Sequence, residues 1–415
     1  MSININVSVE QVVPRVNDEG LVLVVFANAR KKTANTTAGP KRINSLAELV
    51  ANFGGATPDA PSVKEFNELY TAEYLIRAGV NLLCYATATA GAIEAADITA
   101  IDDFDNYQYK MIVAPYAFIS SVSVTLADIL MDFSKAHDVE LFVDLEPFVT
   151  AADVSDAETG IKVILASVLS EKTQIFKNCG FPGFTSEYVV PAGIADITVA
   201  DLAVAGAYAA ATDYVGVPGS AACAARKAAL LKAGTPWLPI AGENYGLVNE
   251  FYTLLESITA TEKTALQALN VNVLVMKIGV GNLFVSQNTM FQQAAGITTT
   301  TNPLFRGHVI TEMLAIKREL EAIASSLLYK PNISKTWNMT ETRLNKILQD
   351  IQDADGIESH EVLIGLGVTM TEADVAAGIL KATVRYLPVR VIEAITFNVV
   401  IQQTLNTYDI EFGGE

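Results

Sequence analysis

The chain is poor in the residues on which most enzymatic and metal chemistry rests. Its 415 residues include three cysteines, three histidines and two tryptophans. Cys84, Cys179 and Cys223 lie far apart in no metal-ligand spacing, and an odd number excludes a complete disulfide framework, so buried free thiols are expected. His137, His308 and His360 stand in no wording typical of a hydrolase triad, and there is no G-x-S-x-G elbow. His137 reads as a cap on a helix dipole, and His308 and His360 as ordinary surface or capping residues. A G-x-x-x-x-G-K-[ST] loop is missing, which excludes a P-loop motor. The GVGN of Gly279 to Asn282 lacks the third glycine of a dinucleotide fingerprint and falls between two strand patterns, so it reads as a tight turn. Asp102, Asp103 and Asp105, and Asp350, Asp353 and Asp355, lack the twelve-residue calcium loop and read as solvated acids. No catalytic residue, metal site or cofactor is expected.

Basic charge is also scarce. Lys and Arg number 28 against 46 Asp and Glu, a formal net charge of −18, which makes nucleic acid and anionic membranes poor partners. No stretch approaches the roughly 20 uninterrupted apolar residues of a membrane helix, and MSININVSVE does not read as a secretory signal. What is abundant is aliphatic: 51% of residues are hydrophobic, enough for the sizeable cores of two or three domains.

The order of patterns predicts an α/β fold. Ile3, Ile5, Val7 and Val9 alternate with polar residues as in a half-buried strand, and Pro14 and Asn17 to Gly20 set this segment off as an arm. Strand Leu21 to Ala27 follows, then a helix from Ser45 with Glu48 three residues on, a capping box. A second helix over Ser62 to Ala78 leads into strand Val80 to Thr87. Tyr109 to Leu145 reads as strand, helix, strand, a βαβ unit that implies a parallel sheet. Helical patterns at Ala157 to Ser170, Val199 to Ala211 and Thr261 to Leu269 continue this body. After Met290 the character changes. Val309, Met313, Ile316, Leu320, Ile323 and Leu327 form one stripe on a long helix, which is either core packing or a coiled-coil interface. A second amphipathic helix turns Leu344, Ile347, Leu348 and Ile351 inward and Lys346 outward. Ile395, Phe397, Val399 and Ile401 then alternate as a strand, and Tyr408, Ile410 and Phe412 alternate again at the end.

Several of these pieces, in this order, resemble the phage tail sheath family over nearly the whole chain. They are the opening strand, Gly39–Pro40, INSLAELVANFGG, EYLIRAGVNLLCYAT, the βαβ pair ending in FVDLEP, and VGVPGSAACAARKAALLKAGTPWLPIAG. LNVNVLVMKIGVGNLFVSQNTMF, the long helix ending in KPN before Trp337, and RYLPVRVIEAITFNVVI complete the series. The resemblance implies an outer α/β body with a partly parallel sheet (21–290) and an inner α+β domain (291–403). An N-terminal arm (1–20) and a C-terminal arm (404–415) flank them. It implies a subunit that polymerises around a tail tube by strand exchange, through Ile3, Ile5, Val7, Val9, Ile395, Phe397, Val399, Ile401, Tyr408, Ile410 and Phe412. Arg343 and Lys346 are the candidates for touching the tube. The implied partners are other copies of the chain, the tube protein, and baseplate and tail terminator proteins, in a virion tail assembled in a bacterial cytoplasm. A bacterial contractile secretion or toxin-delivery sheath fits the same pieces, and an α/β enzyme is the alternative of a different class.

Overall fold

The computed structural model describes residues 2–3, 20–26, 39–53, 71–87, 93–102, 109–115, 125–145, 170–182, 217–291, 302–392, 397–403 and 406–412. The chain divides into two compact units. One, the body, is Asn6–Leu328; the other, the C-terminal unit, is Tyr329–Glu415 with Met1–Ile5.

The body is organised by an eight-stranded sheet built from β2 (Val22–Phe26), β3 (Lys41–Ile43), β4 (Leu82–Ala86), β5 (Met111–Val113), β6 (Glu140–Asp144), β7 (Thr173–Lys177), β11 (Asn272–Lys277) and β12 (Gly281–Phe284). Their order is β12-β11-β7-β6-β5-β2-β4-β3. The inner pairs are parallel, as the βαβ pattern requires, and only β12 and β3 at the two edges run antiparallel. Both faces are covered, so β2 is apolar at every position. Val22, Val24 and Phe26 enter one core, while Leu21, Leu23 and Val25 enter the other.

The first core is roofed by a helix over Gly219–Lys232, within the stretch VGVPGSAACAARKAALLK. Its small residues, among them Ala221, Ala222, Ala224 and Ala228, are buried and let the helix lie close to the sheet. Gly20 shows how close: its φ is +79, and a Cβ there would stand 2.9 Å from the Ala228 carbonyl oxygen. The second core is closed by helices Ala95–Asp102, Thr125–His137 and Ala260–Ala268, which contribute Ile101, Leu130, Phe133 and Leu266.

Asn178 turns the chain out of this sheet into a smaller one formed by β8 (Cys179–Pro182), β9 (Val217–Pro218) and β10 (Phe251–Leu254). Its φ is 89, and its amide donates to the carbonyls of Glu256 and Leu274 while its Oδ1 accepts from Cys179 N and Glu256 N. Asparagine tolerates the left-handed region and can supply donors and acceptor together.

The expected start of helix Leu46–Phe53 holds with one change. Glu48 N donates to Ser45 Oγ at 3.2 Å, but the Glu48 carboxylate accepts from Asn44 N, one residue earlier than in a standard box. Gly279, in the turn of the β11–β12 hairpin, and Gly281, the first residue of β12, both have positive φ. The expected helix over 62–78 is described from residue 71 and is helical there to Arg77; its start, the expected helix over 199–211 and all but Ser170 of the one over 157–170 lie outside the described residues, and Ser170 pairs with Met290 as a β-bridge.

The long helix is Gly307–Leu327, and it lies in the body unit, which runs to Leu328. Its first six residues, Val309 of the expected stripe among them, are buried all round, and Ile316, Leu320 and Ile323 of that stripe are buried farther on. In the C-terminal unit, helix Ser334–Asp353 faces β13 (Ile357–Ile364), which pairs antiparallel with β14 (Ala382–Pro388). Thr340, Leu344 and Leu348 are buried on the helix and Val362, Val384 and Tyr386 on the strands.

Candidate assembly surfaces

Both ends of the chain are strands, and the structure gives each a partner. Ser2 and Ile3 (β1) pair antiparallel with Arg385 and Val384 of β14 in the same chain. Ile5, Val7, Val9 and Ile395 lie outside the described residues.

The C-terminal segment is one half of a hairpin and not a lone arm beginning at 404. β15 (Phe397–Gln403) pairs antiparallel with β16 (Asn406–Phe412) along its full length. Phe397 stands opposite Phe412, Val399 opposite Ile410, and Ile401 opposite Tyr408. Positions two apart share a face of a pleated ribbon, so the register gathers six of the predicted arm residues on one face. The intervening pairs are Asn398–Glu411, Val400–Asp409 and Gln402–Thr407. Each strand alternated in the sequence; that they face each other did not show there, because residues 404–405 between them carry no Gly, Pro or Asn-Gly signal.

Unpaired edges remain among the described strands. β1 covers two of the seven residues of β14, and β13 is the other border of that sheet. The sheet face away from the helix carries an exposed Arg385–Glu361 ion pair at 2.9 Å. Arg343 and Lys346 both lie on the exposed side of helix Ser334–Asp353.

Two polar clusters of the body hold the long helix. Lys227 and Glu140, each 2% exposed, pair at 2.5 Å, and Thr311 Oγ1 lies 2.5 Å from Lys227 Nζ and 3.1 Å from both Glu140 oxygens. Gln174 adds an amide to Glu140 at 3.1 Å. One turn and a half farther on, Lys317 joins Lys172 on the Asp138 carboxylate. Burial would raise that carboxyl, but the two lysine hydrogen bonds outweigh it and hold it below the usual range.

The histidines fall into different settings. His137 ends its helix, stacked 4.2 Å from Phe133 and 3.4 Å from Asp102. His360 Nδ1 lies 2.9 Å from Gln352 Oε1. His308 is not a surface residue: it is 3% exposed in the buried first turn of the long helix, and burial, aided by Lys227 and Arg306, pushes it down to about 4. Glu312, one turn on, is 1% exposed and burial pushes it up to about 8. Asp144, whose Oδ1 accepts from Ser220 N at the start of helix Gly219–Lys232, is raised by burial to about 7 against the opposing Ser220 bonds. These buried groups leave no trace in the sequence, because single polar residues in apolar runs are indistinguishable there from exposed ones. The three cysteines are free and buried. Among the described residues no group of three or more His, Cys, Asp or Glu could hold a metal ion, and no helix is long and apolar enough to cross a membrane.

No family model and no curated protein matches the chain by sequence. Solved structures do match. A chain of the anti-feeding prophage baseplate superposes with a TM-score of 0.66 at 14% identity, covering 97% of this chain and 98% of that one. The sheath complex of an extracellular contractile injection system, PVC, in its contracted state gives 0.64 at 15% identity, covering 98% of each chain. A sheath tail protein from Desulfitobacterium hafniense gives 0.54 at 11% identity, covering 88% of this chain and 94% of that one. With identities this low the likeness is one of fold, and the fold of this chain is that of the sheath proteins of contractile injection systems and tails.

Proposed function

We propose that this chain is the sheath subunit of a contractile, tail-like injection particle. The observation that carries the reading is a whole-chain match in fold to such sheaths, extending through both units. The likeness is fuller to the injection-system sheath than to the sheath tail protein, 98% against 88% of this chain, and this favours a toxin-delivery or secretion particle over a phage tail. Copies stack as a helical polymer around a tube, with baseplate and terminator proteins at the ends, in a particle assembled in a bacterial cytoplasm.

Connection runs through the strands. A two-stranded ribbon is marginal in water by itself, and among the described strands the C-terminal hairpin has no third member. Added to a neighbour's open sheet edge, it completes a ladder whose backbone bonds each net about 1 kcal/mol and tolerate rotation between bodies. Contraction is then a fall from a metastable packing of bodies to a more buried one, with the links kept. The body suits this role because the long helix is fastened to the sheet by the Glu140 and Asp138 clusters.

Negative-stain microscopy of the purified protein at high concentration tests the reading. Helical tubes are expected, and discrete oligomers under every assembly condition would overturn it. Arg343 and Lys346 are proposed to face the tube. Reversing both charges should weaken tube binding about tenfold while leaving the polymer intact; unchanged binding removes this assignment.

A further inference from the structure

The first two turns of the long helix bury two ionisable side chains. His308 is 3% exposed and Glu312 1%, and His308 Nδ1 and Glu312 Oε1 have no hydrogen-bond partner among the described residues. Four residues apart on one helix, the two share a face and lie one turn from each other. The backbone around them is closely held. Gly307 N donates to the Gln287 carbonyl at 2.9 Å, a Cβ at Gly307 would stand 2.7 Å from Gln174 Oε1, and Thr311 touches the Lys227–Glu140 pair. The charged groups facing this segment are Lys227 from helix Gly219–Lys232, whose Nζ also donates to the Gly307 carbonyl at 3.3 Å, Glu140 from β6, and Arg306 just before the helix. Lys317 and Arg318 of the same helix lie farther on, bound to Asp138. Burial first, then Lys227 and Arg306, oppose a positive charge on His308, and burial opposes a negative one on Glu312. A buried group whose charged form has no partner stays inside by giving up its charge.

We infer that the first two turns of the long helix, residues 307–314, are a proton-controlled latch on the body: they are seated only while His308 and Glu312 are both uncharged, and lifting them lets the two side chains take opposite charges one turn apart. In the seat Glu312 is pushed up from 4.5 to about 8, so its contribution to seating is complete below pH 4.5 and is lost as pH rises toward 8. His308 is pushed down from 6.5 to about 4, so its contribution is complete above pH 6.5 and is lost as pH falls toward 4. Between pH 4.5 and 6.5 the two effects cancel, because opening releases a proton from Glu312 and binds one on His308. Above pH 6.5 only the loss from Glu312 remains, and the latch loosens. The inference concerns the body alone and does not depend on the sheath reading.

Hydrogen–deuterium exchange of the full chain tests this, read by mass spectrometry across the pH range below the concentration at which tubes form and divided by the intrinsic rate at each pH. The opening constant of 307–314 is expected to stay level between pH 4.5 and 6.5 and to rise about thirtyfold from 6.5 to 8, at about tenfold per pH unit for one proton released. Glu312→Gln should make it level above pH 6.5 and raise it as pH falls, by about 300-fold at pH 4. His308→Gln should remove the plateau, so that opening climbs about tenfold per unit from pH 4.5 onward. Strand β2, in the middle of the sheet, should stay protected at pH 8, which marks the opening as local. A parent rise that runs unbroken from pH 4.5 to 8, variants that keep the parent's profile, or β2 exchanging in step with 307–314 would each overturn the latch, and the parent profile decides even where a variant does not fold.

Discussion

At the scale of single residues, the body hides charges that its composition gives no reason to expect. Glu312 has an ordinary value of 4.5 and sits near 8 when folded, because burial penalises its charged form. The unfolded chain therefore loses this proton first. The stability Glu312 contributes is complete below pH 4.5 and is lost as pH rises toward 8. Glu312→Gln should match the parent near pH 4.5 and exceed it at pH 8 by on the order of 2–3 kcal/mol in urea unfolding. His308 works in the opposite direction, since its folded value of about 4 lies below 6.5, so its contribution is complete above pH 6.5 and is lost as pH falls toward 4. Lys227 is the other exposed weakness of this layer. Lys227→Ala leaves the Glu140 carboxylate buried without its cation and should cost about 3–5 kcal/mol, while Lys227→Met with Glu140→Leu should recover most of it, because a buried pair itself contributes little beyond an apolar one. Equal losses in both variants would mean that packing volume, and not charge, holds the site.

At the scale of elements, the strands at the two ends are separable from the cores. β1 adds two residue pairs to its sheet, and among the described residues β15 and β16 pair with each other alone. Deleting Met1 to Val9, or residues 393–415, should shift the thermal midpoint by no more than a few degrees and abolish ordered tubes. Calorimetry beside electron microscopy checks both halves, and a truncated protein that unfolds, or one that still forms normal tubes, contradicts the proposal. How far such elements could be read in advance depended on periodicity. The parallel strands and the βαβ unit were legible because Leu21 to Ala27 and Tyr109 to Leu145 switch cleanly between apolar runs and a helical period. The hairpin was legible as two alternating strands but not as a pair, since no residue type between them signals a reversal of the chain.

At the scale of the whole molecule, the expectation for a sheath subunit is that the purified chain hydrolyses neither nucleotide nor peptide; turnover lost on mutating a residue of this chain would contradict it. The order of patterned segments was enough to place the chain beside the sheath family, because that order follows from local chemistry: alternation, helical stripes, caps and glycine stops. By itself the sequence determined the α/β class, the parallel core strands, the amphipathic helices and the strand character of both ends. The tertiary structure alone decided that the long helix belongs to the body. Thr311 meets Glu140 across 171 positions, and Lys317 meets Asp138 across 179, separations at which no local period carries information. It also decided the burial of His308 and Glu312. Each arises where distant segments are brought together, and the energy that does so is spread over many apolar contacts rather than written in any one stretch of the chain.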